Sequence, residues 1–94
     1  MTKLIIVIVS YNTRTETLAC LHSLHSPPPT VSHDVIVVDN CSTDGSPNAI
    51  RSQWPNVRLL KLRENLGYAR ANNLAVRATT SEVILFLNSD TVVS

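Results

Sequence analysis

The residues best suited to chemistry sit at the ends of short apolar runs. Asp90 follows the run Val83–Leu87. A carboxylate just past a buried parallel strand is placed where a divalent cation can bridge diphosphate oxygens and stabilise a departing nucleoside diphosphate. Asn88 beside it is a neutral oxygen donor and a weaker metal ligand. The competing reading of Asp90 is a turn-forming residue next to Thr91. Two further runs end in polar clusters: Leu4–Val9 in Ser10, Tyr11 and Asn12, and Val35–Val38 in Asp39 and Asn40, continuing from Cys41 to Ser46. The run from Val57 to Leu62 leads into Asn65, Leu66 and Gly67 ahead of a helix start. Taken singly, each has a structural explanation: Asp39 and Asn40 can end a strand, Asp44-Gly45 is an ordinary turn pair, and Tyr11 can be a half-buried ring. Asn72 and Asn73 are poor helix formers inside a helical stretch, and they ask for a reason.

Other chemistries lack their residues. An acid at the end of the second strand would suit a dinucleotide ribose, yet the first strand runs into Ser10-Tyr11-Asn12-Thr13 with no GxGxxG, and the chain has only two glycines. A dehydrogenase is therefore disfavoured. GxxxxGK[ST] and GxSxG are absent, which removes a P-loop NTPase and a nucleophile-elbow hydrolase. Cys20 and Cys41 form neither a CxxC pair nor a disulfide framework, and no His pair has zinc spacing, so both read as free thiols.

The elements that position these residues follow from periodicity. The four apolar runs are short, continuous and rich in β-branched residues, the pattern of strands buried on both faces of a parallel sheet. Thr13 and Glu16 fit a capping box opening the first helix, whose stripe of Leu18, Leu21, Leu24 and His25 ends before the stiff connector Pro27-Pro28-Pro29. Ser46-Pro47 reads as a cap plus a first-turn proline for a second helix closed by Pro55. A third helix follows Gly67, with Ala71, Leu74, Ala75 and Ala78 inward and Arg70 and Arg77 outward. The order β-α-β-α-β-α-β implies an α/β fold: an open, Rossmann-like parallel sheet with helices on both faces and strand order 3-2-1-4. Ligands bind such sheets at the carboxyl ends of the strands, where the order reverses. The fourth strand is expected to be an unprotected edge, open to pairing with a second copy.

Composition bounds the partners. The chain of 94 residues supports one core, and its 44% hydrophobic and 16% charged residues describe a foldable domain. A formal net charge of +1 offers no long-range attraction to nucleic acid or anionic lipid. With no basic segment followed by an apolar stretch and a cleavage site, and no apolar run near the ~20 residues a bilayer requires, the chain reads as cytoplasmic.

Four motifs, in order, carry a resemblance: Val9-Ser10-Tyr11-Asn12, Val38-Asp39-Asn40-Cys41-Ser42-Thr43-Asp44-Gly45-Ser46, Glu64-Asn65-Leu66-Gly67-Tyr68-Ala69 through Asn72-Asn73, and Leu87-Asn88-Ser89-Asp90-Thr91. Together they closely resemble the start of family-2 glycosyltransferases, inverting enzymes with the A-type nucleotide-sugar fold. The rhamnosyltransferase-type members of bacterial surface-polysaccharide pathways look most similar. The resemblance implies that Val9, Ser10 and Tyr11 line a nucleobase pocket with Asn40 alongside, and that Asp39 accepts from a pyrimidine N3–H. It implies that Asn65, Gly67 and Asn73 lie beside the nucleotide, with Gly67 allowing close backbone approach. Asp90 matches the last acid of a DxD-like motif that grips Mg²⁺ or Mn²⁺, and Asn88 stands where the plain motif has its first Asp.

The implied partners are a UDP- or TDP-sugar donor and a saccharide or lipid-linked acceptor, with the chain in the cytoplasm or peripheral to the inner membrane face. In this family the general base and most acceptor contacts lie beyond the DxD-like motif. Residues 1–94 are thus expected to form the nucleotide-sugar-binding half of a catalytic domain, with no catalytic base of their own and no turnover alone. The alternative is a non-catalytic α/β module that self-associates through its edge strand.

Overall fold

The computed structural model describes residues 4–25, 33–79 and 83–90. The expected connector Pro27–Pro29 and the residue Thr91 lie outside them. Seven elements alternate: β1 (Leu4–Ser10), α1 (Arg14–His25), β2 (His33–Asp39), α2 (Ser46–Gln53), β3 (Arg58–Lys61), α3 (Tyr68–Arg77) and β4 (Val83–Asn88). The sheet is parallel throughout, with order β3-β2-β1-β4, as the sequence implies. No helix among the described residues is long and apolar enough to cross a membrane.

Side-chain alternation sends each central strand into two cores. Ile6 and Ile8 of β1 pack with Val35 and Val37 of β2 beneath α1 and α2, joined by Cys20, Leu21, Leu24 and Ile50. Ile5, Val7 and Val9 face the other way with Ile36 and Val38, against Ala71 and Ala75 of α3. The two alanines let α3 approach the sheet closely. Each fully buried Ile, Val or Leu contributes roughly 1.5–3 kcal/mol, so β1 and β2 carry most of the stability.

Burial on both faces, expected of all four strands, holds for β1 and β2 and not for the outer pair. β3 is half exposed, and on β4 Val83, Leu85 and Phe86 keep 48%, 43% and 45% of their surface. The reason is position: among the described residues each outer strand has a single neighbouring strand, and α3 packs mainly on β1 and β2.

The helix starts also differ from expectation. The Thr13 hydroxyl bonds Ser10 Oγ (3.3 Å) and Thr17 Oγ1 (3.1 Å), while the Arg14 amide donates to Asp44 Oδ2 at 2.9 Å. A carboxylate from the β2 loop thus serves α1 where a local capping box was expected. At α2 the cap is Gly45, in the left-handed conformation (φ 81), and Ser46 lies inside the helix with its amide and hydroxyl turned back to Asp44 Oδ1. Thr17, Cys20, Leu21 and Leu24 form the buried stripe of α1, with Leu18 only partly buried.

Candidate functional site

Register brings the polar strand ends to one level. Ser10 pairs with Asp39 across β1–β2, and Val9 pairs with Asn88 across β1–β4. Above this edge lies a cleft of about 630 Å³. Of the residues expected from sequence, Val9, Tyr11, Asn40, Asn65, Gly67, Asn88 and Asp90 line it.

Three expected residues do not. Ser10 is fully buried, and its hydroxyl meets those of Thr17 (3.0 Å) and Thr13, locking the corner between β1 and α1. Asp39 is fully buried under the cleft: its Oδ1 accepts from the Ser42 hydroxyl (2.6 Å) and its Oδ2 from the Ser42 amide (2.9 Å). Asn73 is exposed on α3 and borders a separate cavity of about 190 Å³ with Arg70 and Arg77. Its neighbour Asn72 has a buried Oδ1 with no hydrogen-bond partner among the described residues.

The loops are tied to one another. Asn40 Oδ1 accepts the Leu66 amide at 2.8 Å, fixing the approach to α3, and Asn65 Oδ1 accepts the Gly67 amide at 2.8 Å. Gly67 has φ 83, a conformation that L side chains rarely adopt, and it delivers the N-terminus of α3 to the cleft. Asn12, also left-handed at φ 51, takes the Thr43 amide on its Oδ1 at 2.7 Å.

Glu16 and Tyr68 also line the cleft, and the sequence reading gave neither a role there. Both are first-turn residues of helices that begin at the carboxyl edge of the sheet, which is the signal that identifies them. The Tyr68 hydroxyl reaches Asn88 Oδ1 at 3.5 Å. The cleft lining carries two carboxylates, Glu16 and Asp90, and no Lys, Arg or His among the described residues.

That charge pattern bears on a cation. Among the described residues there is no cluster of three or more His, Cys, Asp or Glu, so the chain builds no self-sufficient metal cage. One carboxylate and a neighbouring amide oxygen still match a Mg²⁺ or Mn²⁺ that completes its shell with phosphate oxygens and water. A diphosphate entering a cleft whose charged lining residues, among those described, are carboxylates would also need a counter-charge.

Outside the cleft, burial raises the Cys20 thiol, with the Asp90 charge adding to it. Burial opposes ionisation of Asp44, but hydrogen bonds from the Ser46 hydroxyl and from the Arg14 and Ser46 amides outweigh it and hold the carboxyl below its ordinary value of 3.8. Both cysteines are free thiols.

The sequence profile of Glycosyl transferase family 2 matches residues 5–94. The chain belongs to this family. The teichoic acid poly(glycerol phosphate) polymerase of Staphylococcus epidermidis is 33% identical over 94 residues, covering 96% of this chain and 13% of that protein. The N-acetylglucosaminyl-diphospho-decaprenol L-rhamnosyltransferase of Mycobacterium tuberculosis is 50% identical over 42 residues, or 45% of this chain and 14% of its own length. Rhamnosyl transfer is one of several activities named among the relatives of this glycosyltransferase chain. Solved structures agree on the fold. S. aureus TarS in complex with UDP superposes with a TM-score of 0.82 at 28% identity, over 95% of this chain and 28% of that one. The Pyrobaculum calidifontis mannosyltransferase in complex with GDP-Man and Mn²⁺ gives 0.80 at 28% identity, again over 95% and 28%. This glycosyltransferase chain therefore spans a small part of the length of the proteins it matches.

Proposed function

We propose that this chain is the donor-binding half of an inverting glycosyltransferase that moves a sugar from a UDP- or TDP-linked donor to a saccharide or lipid-linked hydroxyl. The observation that carries this reading is the convergence of Tyr11, Asn40, Asn65, Asn88 and Asp90 on one cleft at the carboxyl edge of the sheet. The base lies at the β1–β2 end, between Tyr11 and the loop after Asp39. Asp39 has no exposed surface, so a pyrimidine N3–H reaches it as the side chains above it give way to the entering base.

The diphosphate runs toward β4, where the α3 N-terminus offers backbone amides and a favourable dipole. Asp90, with Asn88, would hold Mg²⁺ or Mn²⁺ there, and the bound ion supplies the positive charge that the lining lacks. The Tyr68 hydroxyl approaches the Asn88 amide oxygen to 3.5 Å. An inverting displacement needs a base opposite the leaving group to take the acceptor proton as the new bond forms. We assign no such base in residues 1–94 and expect binding without turnover from them alone. The rhamnosyltransferase-type donor preference is supported by one relative's name and by the motif pattern.

A calorimetric titration of the protein with UDP, TDP, GDP and ADP, with and without Mn²⁺, tests the reading. Pyrimidine-selective binding that disappears in Asp39→Ala supports it; purine preference, or silence from every nucleotide, contradicts it. One observation favours a second reading: β4 is the outer strand among the described residues and exposes the side chains of Val83, Leu85 and Phe86, as a module that pairs with another copy would. Concentration-dependent dimerisation without any nucleotide response is its signature.

A further inference from the structure

Asp39 is fully buried, and what constrains it is Ser42. An Asx turn needs one backbone amide on the carboxylate. Here Ser42 engages both oxygens, its hydroxyl at Oδ1 (2.6 Å) and its amide at Oδ2 (2.9 Å), so the plane of the carboxylate is fixed as well as its position. The same hydroxyl oxygen accepts the Asn12 amide at 2.9 Å. A backbone amide can only donate, which settles the direction of the chain: Asn12 N–H to Ser42 Oγ, then Ser42 O–H to Asp39 Oδ1. The link is flanked by two non-glycine residues with positive φ, Asn12 (51) and Cys41 (72). Left-handed backbone at such positions persists where surrounding bonds over-determine it.

We propose that Ser42 is a positioning residue that sets nucleobase selectivity through Asp39. This rests on the reading of Asp39 as the base-contacting group. With both protein donors aimed at it, the carboxylate meets a ligand as an acceptor only. A pyrimidine whose ring N3 carries a hydrogen, as in uridine and thymidine, can donate to it. Cytidine presents an acceptor at N3 and is turned away. The Asn12 amide keeps the Ser42 proton on the Asp39 side, so the loop after β1 and the choice of base are coupled through one hydroxyl.

The test is the ratio of UDP to CDP affinity, measured by calorimetry on the full-length protein for wild type, Ser42→Ala and Ser42→Thr. Wild type favours UDP strongly, Ser42→Ala lowers the ratio about tenfold by weakening UDP alone, and Ser42→Thr, which keeps the hydroxyl, restores it to within about twofold, a tenfold change being ~1.4 kcal/mol. An unchanged ratio in Ser42→Ala, or equal weakening of UDP and CDP, overturns the proposal, because a purely structural serine would move both nucleotides together. Should Ser42→Ala fail to fold, Ser42→Cys decides. Its thiol fills the same space but is a weak donor, so a lowered ratio supports the role of the hydroxyl and an unchanged ratio overturns it. Failure of the underlying reading looks different: wild type itself shows no UDP preference, or Asp39→Asn leaves the preference intact.

Discussion

The ends of β2 and β4 face one cleft from opposite sides of β1, and they are built in opposite ways. At β2 the polar residues are buried and mutually bonded: Asp39 has both oxygens on Ser42, and Asn40, 3% exposed, holds the Leu66 amide. At β4 the strand itself is half exposed, Asn88 and Asp90 stand open, and the side-chain bond there, from the Tyr68 hydroxyl to Asn88 Oδ1, is long at 3.5 Å. The difference teaches a division of labour. On the proposed reading, the end that meets the base is organised by the protein's own hydrogen bonds, while the other end would be completed by the diphosphate and its counter-ion.

That contrast can be broken at several levels. The largest effect is on stability. Ile8→Ala empties a site enclosed between β2, β4 and the helices and should cost about 2–5 kcal/mol in urea unfolding, whereas Phe86→Ala on the open strand should cost under ~1 kcal/mol. Equal losses would mean that β4 is as tightly packed as β1. Next in size is the carboxylate of the open end: Asp90→Asn should lower Mn²⁺-dependent UDP affinity about tenfold, or ~1.4 kcal/mol, and leave metal-independent binding alone. Loss of both would place Asp90 with the base-binding group.

A smaller contrast separates the thiols. Cys41, partly exposed with its thiol donating to the Arg63 carbonyl at 3.4 Å, should alkylate in the native protein, while buried Cys20 with its raised thiol should react only on unfolding. Comparable rates would show the α1 core to be open. The smallest effect concerns Asp44. Because its folded carboxyl sits below the ordinary value of 3.8, the stability it adds is present above that value and is lost as pH falls through the folded one. Melting curves of wild type and Asp44→Asn should converge on acidification below 3.8; a constant gap would contradict the assignment.

The sheet order was legible because the runs from Leu4 and Val35 are so continuously apolar that only a central, two-sided position suits them. Right-handed crossovers then leave one arrangement. The runs from Val57 and Val83 look the same in sequence and turn out half exposed, since composition does not reveal how many neighbours a strand will have. Cleft-lining residues were legible where strand ends deliver them directly, as at Tyr11, Asn40 and Asp90. Ser10 and Thr17 were not, because a hydroxyl that closes a strand–helix corner has the same sequence appearance as one that meets a ligand. Glu16 and Tyr68 were missed because a first-turn helix residue is naturally read as serving its own helix. The bond from Ser42 to Asp39 is only three residues long, yet its link to Asn12 spans 30 positions and depends on the parallel pairing of β1 with β2.

The division between the two ends is tested most directly by titrating the protein with uridine, UMP and UDP, each with and without Mn²⁺. All three should bind through the base, Asp39→Ala should abolish binding of all three, and Mn²⁺ should strengthen UDP alone. Equal metal dependence for uridine and UDP, or UDP binding that ignores both Mn²⁺ and Asp39, would contradict that division.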